Sequence, residues 1–261
     1  MRMKWCVAVL PVLLASAAHT AIPSKAQLAY AAGNFIHAAT IAENEGSAEA
    51  LAFAARARIA DAVMRSGTYC KACLTTAETI AQTAVERDPK SAEGYIQLAV
   101  ALGFRGRLIP LMDAKAERLP ERGREAIDKA LELAPHNAWA LAARGAWNLE
   151  IVHRAGPVLA DVTYGAGRTE GLRYFHEALA ADPGNLLLHF HFALAILALD
   201  TGEFRREAIG ALEAGYKDRR ADALTKFTRK RADTLMSLLK GGKSDEIEAL
   251  VRKFQGYPPE P

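Results

Sequence analysis

The feature that most constrains the fold is a pattern that occurs three times, in which an alanine stands five residues before a proline. The three occurrences are 84–89, 130–135 and 178–183. The amphipathic stretches that follow the three prolines are 92–103, 138–152 and 186–199. Apolar residues recur in them at steps of three and four, which is the period of a helix. Proline is tolerated where one helix has ended and the next begins. Alanine, the best helix former, supplies 53 of the 261 residues. The sequence therefore predicts an all-helical chain of successive hairpins.

These hairpins resemble the tetratricopeptide repeat, which places an aromatic residue, a leucine and a small residue on its first helix, then alanines and a proline. The matching positions are Tyr95, Leu98, Ala99, Leu102, Ala130, Pro135, Gly145, Phe192 and Ala193. Arg144 departs from the pattern, because leucine is expected there. The resemblance covers 26–214. It implies a right-handed α-solenoid of about four to five degenerate repeat-like hairpins over 22–240, with a helical C-terminal cap. Residues 241–261 are expected to form a last helix and a proline-rich tail.

The spacing of the prolines departs from a uniform array. Successive prolines are 46 and 48 residues apart, whereas the family's unit is about 34 residues long. The surplus falls between the two helices of a unit, at 106–122 and at 154–169. We therefore expect two long insertions within repeats, on one edge of the stack.

The region around the second insertion carries a further resemblance. The stretch 143–147, the glycine-containing segment 164–167, and Phe175 ahead of Pro183 are similar to the regulator of microtubule dynamics family. Members of that family have a glycine–tryptophan helix and a glycine-centred insertion here. Its bacterial relatives are exported or anchored helical repeats without an assigned reaction. The resemblance implies an exported repeat protein, and the microtubule-related name is not carried over to it.

Residues 1–18 have the pattern of a secretory signal peptide. Two basic residues precede an apolar run over 5–15, and Ser16 and Ala18 stand at the −3 and −1 positions of a cleavage site. We expect export to the periplasm. Anchoring to the inner membrane by an uncleaved segment is the less favoured alternative, because a spanning helix needs about 20 apolar residues. Cleavage lowers the formal charge from +3 to +1, which argues against nucleic-acid binding.

Cys70 and Cys73 are expected to pair, because two cysteines in an oxidising compartment usually form a disulfide. A C-x-x-C motif also serves dithiol exchange, but redox proteins carry it between a strand and a helix, and no strand is predicted here. A zinc site would need a second pair of cysteines, and Leu74 stands where covalent haem attachment needs histidine. We favour a structural disulfide, with redox activity and metal binding as the alternatives.

No other group of residues has the spacing of a catalytic or metal site. His189 and His191 lie about 200° apart around a helix, so they cannot bind one ion together. The glycines of 165–171 lack the preceding strand and the lysine of a phosphate loop. Carboxylates such as Glu150 are not paired with a nucleophile. We expect a protein that is not an enzyme and that uses no cofactor or metal.

A basic segment, Lys217–Arg231, contains seven Lys or Arg residues and two Asp residues. We interpret it as the solvated face of a C-terminal capping helix, because the terminal units of a helical stack need a polar outer surface. The alternative is a weak contact with an acidic membrane surface or an acidic partner.

In tetratricopeptide units the first helices line a concave groove, and the corresponding positions are largely apolar in this chain. The predicted groove residues are Tyr95, Ile96, Val100, Trp139, Ala142, Ala146, Leu149, Phe190 and Leu194. An apolar groove suits an amphipathic helix of a partner or a lipid-like ligand. We therefore expect a scaffold that binds a protein partner. The alternatives are a periplasmic carrier of a small hydrophobic ligand, accessory to a transporter, and a groove filled by the C-terminal helices.

Overall fold

The computed structural model describes residues 22–64 and 70–259. Within them the chain forms fourteen α-helices and no strand. The helices are α1 Ser24–Ala31, α2 Phe35–Glu45, α3 Ala48–Met64, α4 Lys71–Arg87, α5 Ala92–Arg107, α6 Leu111–Ala116, α7 Leu119–Leu133, α8 Ala138–Ala155, α9 Pro157–Tyr164, α10 Arg168–Ala181, α11 Leu186–Leu199, α12 Thr201–Gly215, α13 Ala223–Gly241 and α14 Ser244–Gln255. Helices that are close in sequence pack together along the chain. The predicted all-helical solenoid is confirmed.

Two hairpins contain the predicted insertions. Helix α5 packs against α7, and α8 packs against α10. The residues between the two helices of each pair include a short helix, α6 in the first case and α9 in the second. Asn148 of α8 is fully buried, and its side-chain oxygen accepts the N–H of Gly167 at 3.0 Å. This bond ties the end of the second insertion to the stack.

The turn after each repeated proline ends in a side chain that caps the next helix. Ser91, Asn137 and Asn185 each stand two residues after the proline, and each accepts backbone N–H groups from the first turn of α5, α8 or α11. These bonds satisfy N–H groups that have no carbonyl partner within the helix. The sequence Pro-x-Ser or Pro-x-Asn therefore starts each of these helices at a defined residue.

Helices α8 and α10 approach closely because each has a glycine where they cross. A Cβ atom at Gly145 would lie 2.6 Å from the ring of Phe175 and 2.9 Å from the carbonyl oxygen of Gly171. A Cβ atom at Gly171 would lie 2.5 Å from the side chain of Leu149. The small residue at position 145 is therefore required by the packing of these two helices.

The C-terminal helices fold back onto the stack. Both α13 and α14 pack against α11. Leu235 and Leu239 of α13 and Ile247 of α14 are buried in the same apolar core as Leu188 and Ile196 of α11. The last helices thus complete the core on the side where the groove was predicted.

The first and last parts of the stack also meet, because α13 contacts α1 and α3. A guanidinium N–H of Arg231 donates to the carbonyl oxygen of Val63 at 3.2 Å. Gly33 has a φ of +85°, and a Cβ atom there would lie 2.9 Å from the Cβ of Ala223. Both the positive φ and the close approach favour glycine at this position. We call this junction the end contact.

The predicted signal peptide, 1–18, lies outside the described residues. None of the helices that the structure does describe combines the length and the apolar character needed to cross a membrane.

Candidate ligand-binding cavity

Two adjoining cavities lie along the predicted groove helices; Gln255 of α14 borders the first cavity, and α13 and Phe254 of α14 border the second. The first cavity has a volume of about 180 Å³ and the second a volume of about 340 Å³. Four residues line both cavities, which therefore meet at this point: Val100, Phe104, Trp139 and His191.

The wall of the first cavity is largely apolar, and about half of its residues are small or aromatic. The aromatic surface comes from Phe104, Trp139, Trp147 and Phe175. The small residues are Ala99, Gly103, Gly106, Ala114, Gly123, Ala142, Ala143, Ala146 and Ala195. A Cβ atom added at Gly103 would meet no atom within 4 Å. The absence of large side chains from these positions leaves the open volume.

A partly buried ionic cluster lies at one end of the first cavity. Nη2 of Arg107 is 2.8 Å from Oε2 of Glu150, and the hydroxyl of Tyr257 donates to the same carboxylate. Burial alone would raise the pKa of the Glu150 carboxyl, but the charge and hydrogen bond of Arg107 outweigh it, so that the pKa is lowered. Glu150 is therefore ionised at neutral pH, and the cluster ties α5 and α8 to the segment that follows α14.

The second cavity lies beneath α13 and has a more polar wall. Tyr30 and Arg56 line it from the N-terminal helices, and Thr225 and Thr228 line it from α13. The guanidinium carbon of Arg56 lies 5.2 Å from the centroid of the Tyr30 ring. This cavity therefore combines apolar surface with hydroxyl and guanidinium groups.

His191 of α11 is the polar residue at the junction of the two cavities. Burial, and then the charges of Arg107 and Arg231, lower the pKa of the His191 imidazole to about 4. The ring is therefore neutral at neutral pH. Its neighbour on the same helix, His189, points elsewhere, because its Nε2 lies 2.9 Å from the carbonyl oxygen of Pro183.

Seven of the nine predicted groove residues line the cavities, and the structure places the other two in the core. Val100 and Trp139 line both cavities. Ala142, Ala146 and Leu194 line the first cavity, and Ile96 and Phe190 line the second. Leu149 is buried in the apolar core, and Tyr95 packs beside a core cluster.

The predicted set missed the charged residues of the cavities. Arg107 and Glu150 line the first cavity, and Arg56 and Arg231 line the second. The sequence could have indicated His191, because it is one of two polar residues in the otherwise apolar sequence of α11. A polar residue in the middle of such a helix indicates a special environment.

Cys70 and Cys73 form a disulfide in the structure, as the favoured interpretation predicted. Cys70 is the N-cap residue of α4, and its sulfur accepts the backbone N–H of Cys73 at 3.2 Å. The pair therefore fixes the first turn of α4. Neither cysteine lines either cavity.

Elsewhere in the described ranges, 22–64 and 70–259, no group of three or more His, Cys, Asp or Glu residues is arranged to hold a metal ion. The basic segment 217–231 spans the connection between α12 and α13 and the first part of α13. Lys226 and Lys230 are exposed, whereas Arg229 and Arg231 are partly buried.

The fold and the cavities define an all-helical repeat-like protein with a partly open, largely apolar binding space. The family model for regulator of microtubule dynamics protein 1-3 matches residues 27–240, and the chain belongs to this family. A comparison with curated proteins gives no significant match.

Proposed function

We propose that the protein is a non-enzymatic binding protein that holds a small apolar molecule in its two cavities. The observation that carries this proposal is the position of α14 over the predicted groove. The rings of Phe254 and Phe190 are 5.8 Å apart, and the side-chain amide of Gln255 donates to the carbonyl oxygen of Leu194 at 3.2 Å. These contacts occupy the surface that a partner helix would need, whereas a small molecule fits the remaining space.

The volumes and the wall composition support the same function. The second cavity, at about 340 Å³, falls in the range of about 300–1,000 Å³ that is typical of small-molecule sites. Such sites are lined mainly by apolar and aromatic side chains, with a few polar groups that orient the ligand. The first cavity has this composition, with Arg107, Glu150 and His191 among its polar groups.

We further propose that the hairpins are tetratricopeptide-type repeats and that the protein acts as an exported carrier. The repeat positions at Tyr95, Leu98 and Pro135 support the first point. The pattern of 1–18 and the Cys70–Cys73 disulfide support export, because disulfides persist in oxidising compartments.

The experiment is a titration of the full chain with a fluorescent apolar probe, combined with native mass spectrometry of the purified protein. Gly103 lines the first cavity, and a Cβ atom there would meet no atom within 4 Å. Gly103→Leu adds a large side chain to this lining, and we expect probe affinity to fall by about tenfold or more. Gly210→Leu is the matched control, since Gly210 is also a helical glycine with no atom near its added Cβ and lies on the exposed surface. Equal probe affinity in both variants and the unmodified chain would overturn the proposal.

A protein-binding scaffold is the second candidate, and exposed apolar residues on the two insertions favour it. Met112 of α6 is 72% exposed, and Val158 and Val162 of α9 are 77% and 80% exposed. Apolar side chains clustered at a surface are typical of protein contacts. The double substitution Val158→Ser with Val162→Ser would then abolish capture of a partner from periplasmic extract while leaving probe binding unchanged. Unchanged capture would exclude α9 as the contact.

A further inference from the structure

The cavities contain more cationic than anionic side chains. Arg107 and Arg154 line the first cavity, where Glu150 is the carboxylate. Arg107 pairs with Glu150, and Arg154 donates to the carbonyl oxygens of Gly106 and Ile109 at 2.8 and 2.9 Å. An enclosed cation is costly unless an opposite charge or several acceptors compensate it. The excess of positive charge therefore favours an anionic ligand.

Arg231 lines the second cavity, where the carboxylates are Glu93 and Asp222, and is one of the cations that make up this excess. Among the described residues, its recorded contacts are the carbonyl oxygen of Val63 and the rings of Phe227 and Phe254, whose centroids lie 4.3 and 5.1 Å from its guanidinium carbon. No carboxylate within the described ranges pairs with it. By contrast, Arg220, which also lines the second cavity, pairs with Asp218 at 2.7 Å.

His191 adds a hydrogen-bonding group at the same point. Within the part of the chain that the structure describes, no hydrogen bond to its ring is recorded, and the residue lines both cavities. A neutral imidazole has one N–H donor and one acceptor nitrogen. His191 and Arg231 both line the second cavity, so an imidazole and a guanidinium border the same space, whereas the donors of Arg107 bond to Glu150 and to the carbonyl oxygen of Gln255.

The volume of the first cavity limits the size of the ligand. At about 180 Å³ it is slightly larger than the apolar cavity of about 150 Å³ that is known to hold benzene. The wall is formed by the flat ring of Trp139 and by small residues such as Gly103 and Ala142. This space fits an apolar body about the size of a phenyl group.

We propose that the junction at His191 and Arg231 binds the carboxylate of a small organic acid whose phenyl-sized apolar body occupies the first cavity. The inference rests on the proposed function, and it names the chemical class of the ligand. The carboxylate accepts hydrogen bonds from the Arg231 guanidinium and from the imidazole N–H of His191, and its charge offsets the cationic excess.

The test compares 3-phenylpropionate with its neutral primary amide by calorimetric titration of the full chain. We expect the acid to bind about tenfold or more tightly than the amide, because a hydrogen bond to a charged group is roughly twice as strong as a neutral one. Arg231→Met and His191→Leu should each remove most of this preference. Lys230→Met is the matched control, since Lys230 is the neighbouring cation on α13 and is exposed; it should retain the preference.

The outcomes separate this inference from the function on which it rests. Equal affinity for the acid and the amide overturns the carboxylate site and leaves a carrier of neutral apolar molecules. Failure of both compounds and of the apolar probe overturns both proposals. Tighter binding of phenyl phosphate than of the acid assigns the site to a phosphate monoester instead. Arg231→Met loses the hydrogen bond to Val63. If circular dichroism shows that this variant is unfolded, the preference for the acid is tested with His191→Leu and Arg231→Lys instead.

Discussion

At the residue scale, two glycines with different surroundings give opposite expectations for the same substitution. Gly145→Ala puts a Cβ 2.6 Å from Phe175 and 2.9 Å from a backbone oxygen, so we expect a loss of about 1–3 kcal/mol in the free energy of unfolding. Gly103→Ala meets no atom within 4 Å and should gain up to about 1 kcal/mol from helix propensity. Denaturant unfolding of the two variants measures both values. An unchanged stability for Gly145→Ala would contradict the close approach of α8 and α10, and a loss for Gly103→Ala would contradict the open space beside Gly103 of α5.

The carboxylate of Asp218 accepts hydrogen bonds from Arg220 and from the first residue of α11, Leu186. Burial alone would raise the pKa of its carboxyl, but hydrogen bonds from the Arg220 side chain and from the backbone N–H of Leu186 and Arg220 outweigh it and lower the pKa to about 2. The unfolded-state pKa of an aspartate is about 3.9. Since the folded-state pKa is the lower one, the stabilisation is present above about pH 4 and is lost as the pH falls toward about 2.

Asp218→Asn should therefore lower the free energy of unfolding at neutral pH, and the difference from the unmodified chain should shrink as the pH falls from about 4 to about 2. Urea unfolding at a series of pH values measures this difference. Asp245→Asn serves as the control, because Asp245 is exposed. A difference that stays constant over that range would show that the charge of Asp218 contributes no stability.

At the scale of helices, the best predicted elements are those whose first residue is set by a nearby proline and a capping side chain. The stretch 186–199 was predicted as a helix and is α11, and 138–152 differs from α8 by three residues at one end. Both helices begin after a proline and a capping asparagine, which act within a few residues. Helices α6 and α9 were not predicted as helices, because they have only six and eight residues and helices of that length are not stable without packing against the rest of the molecule.

Removing a cap should have a measurable effect on the element that it begins. Asn185 is buried and accepts the N–H groups of Leu187 and Leu188. We expect Asn185→Ala to lower the free energy of unfolding by about 1 kcal/mol or more, whereas Asn185→Asp should lower it less, because aspartate is an equally good cap. Thermal unfolding of both variants measures the effect. Equal losses would indicate that the amide N–H bond to Asp182, at 2.8 Å, matters more than the cap.

At the scale of the whole molecule, the cavities could be predicted only in part. The repeat positions led to Val100, Trp139 and Leu194, because the period of a repeat fixes which side of a helix faces inward. Arg107 and Arg231 are 124 positions apart in the sequence. They approach the same histidine only because α13 and α14 fold back over the stack, and no local pattern in the sequence encodes that return.

The end contact should couple the two ends of the chain. Ala223→Phe places a large side chain against Gly33, and we expect amide hydrogen exchange to become faster both in α1 and α2 and in α13. Ala221→Phe is the control, because Ala221 is exposed and lies two residues earlier. Faster exchange confined to α13 would show that the N-terminal hairpin is stable without the end contact.

The meeting of α1 with α13 also limits how such a protein can evolve. An open solenoid behaves as a one-dimensional array in which each unit touches only its neighbours, so units can be duplicated or deleted without disturbing distant ones. Here a duplicated hairpin would separate Gly33 from Ala223 and pull Arg231 away from Val63. It would also widen the space around His191. The end contact therefore opposes a change in the number of units, whereas the insertions that carry α6 and α9 take no part in it.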